Sequence, residues 1–284
     1  MAPSFGRSIS FPLSPARSSR PRAAAYHVRS VSLQCHSHPL VAHLTTHIAA
    51  VRAWLAAPSS TSTGLAHLDA LHAALAELLL LPEARAALSH GSTTAACLLD
   101  GFLILADAHG AFQDATVELR AHLADAQSAL RRRDENRLAS AVRSLRRAEK
   151  DLARLNSSVR SAAKFPSMLS ASTSAAEVEV FGALAEAVAV AACASAAVFS
   201  AVESLSAAAT SALASKKTMT SSFMSLVKSA KPAASDEEKE VVALERLEEV
   251  EACLVATEGG SDKVFRSLLQ TRVSLLNIQT ETCC

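Results

Sequence analysis

The stretch from Arg131 to Lys164 reads RRRDENRLASAVRSLRRAEKDLARLNSSVRSAAK, and its pattern decides the fold. Apolar residues recur at alternating three- and four-residue intervals, which is the spacing of a heptad helix that packs against another helix. The rungs of this ladder are Leu138, Ala141, Leu145, Ala148, Leu152, Leu155 and Val159. The sequence therefore predicts an all-α protein, an elongated antiparallel helical bundle with coiled-coil-like heptad helices.

The same stretch is the most basic part of the chain. It holds eleven Lys and Arg residues against four Asp and Glu residues, a net charge of +7. We single out five of its cations as candidate interaction residues: Arg131, Arg132, Arg133, Arg143 and Arg147. A helix with one apolar stripe and cations elsewhere needs an apolar neighbour and an acidic one.

A segment of opposite charge lies near the end of the chain. From Asp236 to Glu258 nine acidic residues stand against Lys239 and Arg246, a net charge of −7. We expect this acidic helix to pack beside the basic one, with flanking ion pairs that set the register. The same pairing between two chains would give a homodimer. We also expect the acidic helix to end at Gly259-Gly260 and Ser261 to cap the next helix.

The sequence predicts a single helical domain over residues 36–280. His38-Pro39 predicts the first helix start, and Asp134 or Asn136 is expected to cap the basic helix. A second heptad ladder begins at Phe181, and its uncharged core, residues 187–202, is shorter than the ~18–20 residues of a membrane span. Glu186 and Glu203 lie off the apolar stripe of this ladder, so we expect a soluble helix with one solvent-exposed face rather than a membrane span. Residues 215–235 form a basic linker that we expect to dock onto the bundle.

Residues 1–35 form a Ser-, Arg- and Pro-rich tail that we predict to be disordered. Ser10 and Ser32 each follow an Arg by three positions, so both are candidate phosphorylation sites for a basophilic kinase. Phosphorylated Ser10, followed by Phe11-Pro12, would resemble a docking site for 14-3-3 proteins.

The N-terminal tail contains no acidic residue, a feature that it shares with organelle transit peptides. We predict a cytoplasmic protein, with an organelle or a peripheral membrane location as alternatives.

No catalytic, cofactor-binding or metal-binding constellation is found in the sequence, so we predict a non-enzymatic protein with an unknown protein partner. His43 and His47 have the i, i+4 spacing of helix-borne metal ligands, but no further motif residues complete a site, and we expect the histidines on polar faces. The basic helix lacks interleaved aromatic residues, which argues against nucleic acid.

The alternative function is that of a peripheral membrane or lipid-binding protein. It would use the basic helix, the basic linker over residues 215–235 and the terminal Cys283 and Cys284. These two cysteines are candidate lipidation sites, because the end of the chain resembles the dicysteine terminus of prenylated small GTPases.

Several sequence blocks resemble those of the plant-specific domain-of-unknown-function 241 family, also called Bypass-like. The blocks include His38-Pro39-Leu40-Val41, Leu98-Leu99-Asp100-Gly101 and, near the end of the chain, Thr271-Arg272-Val273-Ser274-Leu275-Leu276-Asn277-Ile278. The resemblance covers about residues 25–280. It implies a helical fold, no known enzymatic activity and a role in root and shoot development through control of a root-derived signal.

Overall fold

A computed structural model of the chain describes residues 38–89, 93–162, 175–217 and 236–280, which are almost entirely helical. The helices are α1 (Pro39–Ala56), α2 (Thr61–Leu79), α3 (Pro82–Ser89), α4 (Thr93–Arg131), α5 (Glu135–Ser161), α6 (Ala175–Lys217) and α7 (Asp236–Thr280). These four ranges contain no β-strand. The all-α prediction is confirmed.

Side chains at the helix starts explain where the chain enters each helix. The His38 side chain accepts a hydrogen bond from the backbone N–H of Leu40, and Pro39 occupies the first turn of α1. At the start of α5 the Asp134 carboxylate accepts from the N–H of Arg137 at 3.0 Å. Arg133, with φ of 54°, lies in the left-handed region and turns the chain between α4 and α5. Both predicted starts are confirmed, and Asp134 rather than Asn136 is the cap.

α4, α5, α6 and α7 form an antiparallel four-helix arrangement. α5 packs against α4 and α6, and α7 packs against the same two helices. The His109 side chain forms a hydrogen bond with Ser195, and the rings of Phe112 and Phe199 stack with their centroids 4.2 Å apart. Residue numbers therefore rise together along α4 and α6, so the two helices run in the same direction. The short turn before α5 reverses the chain, which makes α5 antiparallel to both. Up-down-up-down order of this kind suits helices joined in sequence.

The direction of α7 follows from its polar contacts with α4. Arg120 pairs with Glu258 at 3.0 Å, and Gln127 donates to Glu251 at 3.1 Å. Residue numbers thus rise along α4 as they fall along α7. The acidic half of α7 therefore lies against the second half of α4.

The predicted pairing of the acidic helix with the basic helix is wrong within the chain. α5 and α7 occupy opposite corners of the four-helix arrangement, and within the described residues they have at most marginal contact. The Arg133 Nε lies 4.0 Å from the Glu240 Oε2 of α7, but this contact involves the turn rather than α5. The physical reason is the hairpin at Arg133, which places α4 beside α5 and leaves the far side of α4 for α7.

At the end of the bundle away from the turn at Arg133, the helices α1, α2 and α3 pack against the long helices. α1 and α2 form an antiparallel pair, with the indole of Trp54 lying directly over the backbone of Gly64. α2 runs parallel to α7, because Thr61 contacts Thr257 at 3.0 Å and Leu65 packs against Gly260. α4, α6 and α7 pass through both ends.

The predicted break at Gly259-Gly260 is wrong, because α7 continues to Thr280 without interruption. Its buried ladder is carried across this region by two hydroxyl residues, Thr257 and Ser261, which are 1% and 2% exposed. Gly260 is needed there for close packing, since a Cβ atom at this position would lie 3.0 Å from the Leu65 Cβ. Ser261 is a buried interior residue rather than a cap.

The apolar composition of α6 reflects burial inside the bundle. This helix packs against α1, α2, α3, α4, α5 and α7. Both α4 (over 95–131) and α6 (over 178–215) are long and apolar enough to cross a membrane by length and composition, a test that buried core helices also pass. The heptad rungs of α5 and α6 are buried or partly buried, while their supercoiling stays a prediction.

Candidate interaction surface

Four cations form a line along the outer face of α5. Arg143, Arg147, Lys150 and Arg154 are spaced i, i+4, i+7 and i+11, so they project on the side of the helix opposite its buried ladder. All four are exposed to solvent. At 1.5 Å per residue this basic stripe is about 16 Å long.

In the part of the chain that the structure describes, no other helix supplies an ion-pair partner to the basic stripe. Within the described residues Arg143, Arg147 and Lys150 have no ion-pair partner, and Arg154 pairs only with Asp151 of its own helix, at 2.6 Å. The acids of α7 are on the far side of α4. Like charges on neighbouring turns of an exposed helix create a local positive potential that attracts anionic groups.

The structure divides the five predicted interaction residues into two groups. Arg143 and Arg147 belong to the basic stripe, whereas Arg131, Arg132 and Arg133 lie at the hairpin between α4 and α5. All three hairpin residues are exposed. The prediction missed Lys150 and Arg154 as members of the stripe, although their spacing from Arg143 along a helix could have identified them.

Glu149 explains why the cations of α5 face outwards. Its Oε1 accepts hydrogen bonds from the Thr210 Oγ1 at 2.6 Å and the Ser206 Oγ at 3.1 Å, both on α6. Both hydroxyl residues are buried. This acid of the basic helix therefore points at α6 and fixes the rotation of α5 about its axis, which holds the opposite face in solvent.

Two histidines lie in the core, contrary to the expectation that the histidines occupy polar faces. His72 and His109 are 2% and 0% exposed. The His109 Nε2 is 2.8 Å from the Ser195 Oγ, and its ring meets Phe199 edge to face at 5.2 Å. Both histidines fall on the apolar ladders of α2 and α4, and that position is the signal that could have revealed their burial.

Burial determines the protonation of this pair. Desolvation lowers the pKa of His72 to about 4, and desolvation together with the nearby His72 lowers the pKa of His109 to about 3. Both rings are therefore neutral near pH 7. His109 and Ser195 have the residue types of a base and a nucleophile, but both are enclosed in the core. Their hydrogen bond joins α4 to α6.

Two histidines of α1, His43 and the partly exposed His47, form a pair at the surface. The Nε2 atoms of His43 and His47 are 3.1 Å apart, and the His43 Nδ1 is 3.6 Å from the Glu77 Oε2. Across the four described ranges no group of three or more His, Cys, Asp or Glu side chains is arranged to hold a metal ion. Zinc sites in enzymes use three protein ligands.

Residues 64–278 match the family model described as Protein BPS1. This chain belongs to the BPS1, or Bypass-like, family. Neither the curated proteins nor the solved structures compared with the chain include a match. The helical fold is the one that the sequence resemblance implied.

The BPS1 match includes the basic stripe, Glu149 and both buried histidines. The remaining predicted sites are beyond its limits and outside the described residues: Ser10 and Ser32 in the N-terminal tail, and Cys283 and Cys284 at the end of the chain. Within the basic linker, residues 215–217 form the last turn of α6, and residues 218–235 lie outside the described part. The phosphorylation, lipidation and 14-3-3 hypotheses stay predictions.

Proposed function

We propose that this BPS1-family protein is a non-enzymatic interaction protein whose basic stripe binds an acidic protein partner, as part of a family role in root and shoot development. The observation that carries the proposal is the row of four exposed cations on one face of α5, three of them without an ion-pair partner in the described chain. Arg side chains suit such contacts because their guanidinium groups bind carboxylates in a bidentate manner.

The dimensions and composition of the basic stripe favour a protein over a membrane or a nucleic acid. A stripe about 16 Å long, on one helix face, fits a few turns of an acidic helix. Helices that insert at a membrane surface combine cations with large apolar side chains. None of the exposed large apolar residues in the described ranges lies on α5. The face also lacks the aromatic side chains on which bases would stack.

The proposal is tested by comparing two double variants with the full-length wild type. Arg143→Glu with Arg147→Glu reverses half of the basic stripe. Lys263→Glu with Arg266→Glu makes the same charge change on the exposed face of α7 and is the matched control. Each tagged protein is used for affinity purification from seedling extract, followed by quantitative mass spectrometry. We expect a defined set of proteins to be lost with the stripe variant alone.

Identical co-purifying proteins for all three forms, together with self-association that the stripe variant leaves unchanged, would contradict the proposal. Vesicle sedimentation with phosphatidylserine-containing liposomes at moderate salt tests the alternative of a peripheral membrane protein. Stripe-dependent binding to these vesicles, without a stripe-dependent protein partner, would replace the acidic protein with an anionic lipid surface.

A further inference from the structure

The outer face of the first half of α7 is acidic and exposed. Glu245 and Glu248 are exposed and have no ion-pair partner within the described residues, while Glu249 pairs with Arg246 of the same helix at 2.7 Å. Val241 and Val242, on the same face, are 54% and 49% exposed. These two valine side chains add a small apolar area to the acidic face.

This acidic face matches the basic stripe in spacing as well as in charge. Glu238, Val242, Glu245 and Glu249 are spaced i, i+4, i+7 and i+11, which is the spacing of the four cations on α5. Both rows are therefore about 16 Å long. In an antiparallel arrangement three cations would face three acids, and Val242 would lie against the aliphatic part of Lys150.

The two faces cannot meet within one molecule. α5 and α7 occupy opposite corners of the four-helix arrangement, and α4 and α6 lie between them. Their outer faces therefore point to opposite sides. A contact between the basic stripe and the acidic face requires two molecules.

We propose that the acidic partner of the basic stripe is a second copy of this chain, which presents the outer face of α7 around Glu245 and Glu248. This inference rests on the proposed function, because it assigns an occupant to the same stripe. The two faces are on opposite sides of the bundle, so the contact is head-to-tail: each molecule uses its stripe on one neighbour and its acidic face on another. Such association grows with concentration rather than stopping at a closed dimer.

Ionic strength controls the strength of this contact. Exposed ion pairs each contribute little and are screened by salt, with a Debye length of about 10 Å at 0.1 M and about 3 Å at 1 M. We therefore expect weak self-association at low salt and its loss at high salt.

The test is sedimentation velocity of the full-length protein over a range of concentrations, at about 50 mM and about 500 mM NaCl. The wild type should show a sedimentation coefficient that rises with concentration at low salt only. Two double variants should each weaken the association by about tenfold or more. One is Arg143→Glu with Arg147→Glu, and the other is Glu245→Lys with Glu249→Lys, the two acids that face these arginines in the antiparallel arrangement. Lys263→Glu with Arg266→Glu is the control and should associate like the wild type.

An equimolar mixture of the two interface variants gives the decisive result. The reversed stripe of one variant matches the reversed face of the other, and their unreversed surfaces also match, so the mixture should associate again. A wild type that stays monomeric at both salt concentrations, or a mixture that does not associate, would overturn the inference. Thermal unfolding followed by circular dichroism checks that each variant is folded.

The two proposals fail separately. If the protein is monomeric but the stripe variant still loses co-purifying proteins, then the stripe has another acidic partner and only the second copy is excluded. If the stripe variant behaves like the wild type in both experiments, the proposed function falls as well.

Discussion

At residue 64 the absence of a side chain allows α1 and α2 to approach each other. A Cβ atom there would overlap the indole ring of Trp54, which is 6% exposed. We predict that Gly64→Ala lowers the free energy of unfolding by about 1–3 kcal/mol, because overpacking forces the ring or the helix to move. Urea denaturation measures this change.

Gly259 provides the matched control for this substitution. It lies in the interior of α7, and a Cβ atom there would meet nothing within 4 Å. Gly259→Ala should raise the free energy of unfolding by about 0.5–1 kcal/mol, since alanine is the better helix former. Equal effects of the two substitutions would mean that the Trp54 contact is not tight.

The buried histidines predict an acid-sensitive fold. Their pKa values in the folded protein, about 4 for His72 and about 3 for His109, lie below the ordinary value of 6.5. The unfolded chain therefore takes up these protons first as the pH falls through 6.5. The contribution of the two neutral rings to the free energy of unfolding is therefore complete above that pH. Below it the contribution is lost, by up to about 1.4 kcal/mol per pH unit for each ring. The loss levels off below the folded pKa values.

Urea midpoints measured between about pH 7.5 and about pH 4.5 test this expectation. His72→Leu should make the acid-dependent loss of stability clearly shallower, because one of the two buried rings is removed. His122→Leu, which removes a partly exposed histidine of α4, is the control for the loss of a histidine outside the core. A wild-type profile that is flat below pH 6.5 would contradict the burial of the histidines.

At the scale of elements, Glu149 fixes α5 on α6. We predict that Glu149→Ala lowers the free energy of unfolding by about 1–3 kcal/mol, because the buried hydroxyls of Ser206 and Thr210 lose their acceptor. Glu149→Gln keeps an acceptor oxygen and should be less damaging. Asp151→Ala, which removes an exposed ion pair with Arg154, should change stability by less than about 1 kcal/mol.

The helices show which parts of the fold can be predicted from sequence. Starts marked by local chemistry, such as His38-Pro39 and Asp134, were predictable because the capping group and the helix are adjacent in the chain. The continuity of α7 was not predictable from apolar residues alone. Its ladder passes through Thr257 and Ser261, and burial of these hydroxyls is decided by α2, which is distant in sequence.

At the scale of the whole molecule, α7 supports both ends of the bundle. It packs against α2 at one end and against α4 and α6 along its length. We predict that deleting residues 236–284 abolishes cooperative thermal unfolding, because the buried faces of three helices lose their cover. A truncated protein that still melted sharply, within a few degrees of the full chain, would contradict this role of α7.

The candidate surface could be predicted in part. Composition identified the basic helix, and the heptad ladder identified which of its sides is buried. The partner of that helix could not be predicted from charge, since the opposite charges of α5 and α7 suggested a pairing within the chain. Chain connectivity decided otherwise: the tight turn at Arg133 gave α4 the place beside α5.

Within the described helices, the diagonal placement of α5 and α7 puts a basic face and an acidic face on opposite sides of the bundle, which gives this part of the chain a dipole component along that diagonal. The formal net charge of the whole chain is only +1, so the monopole contributes little to long-range encounters. Because cations lie on one side of the bundle and acids on the other, the electric field of a nearby charged object exerts a torque on the molecule. The protein should rotate its α5 side towards a negative surface before contact, and orientation rather than attraction would then govern how often encounters succeed.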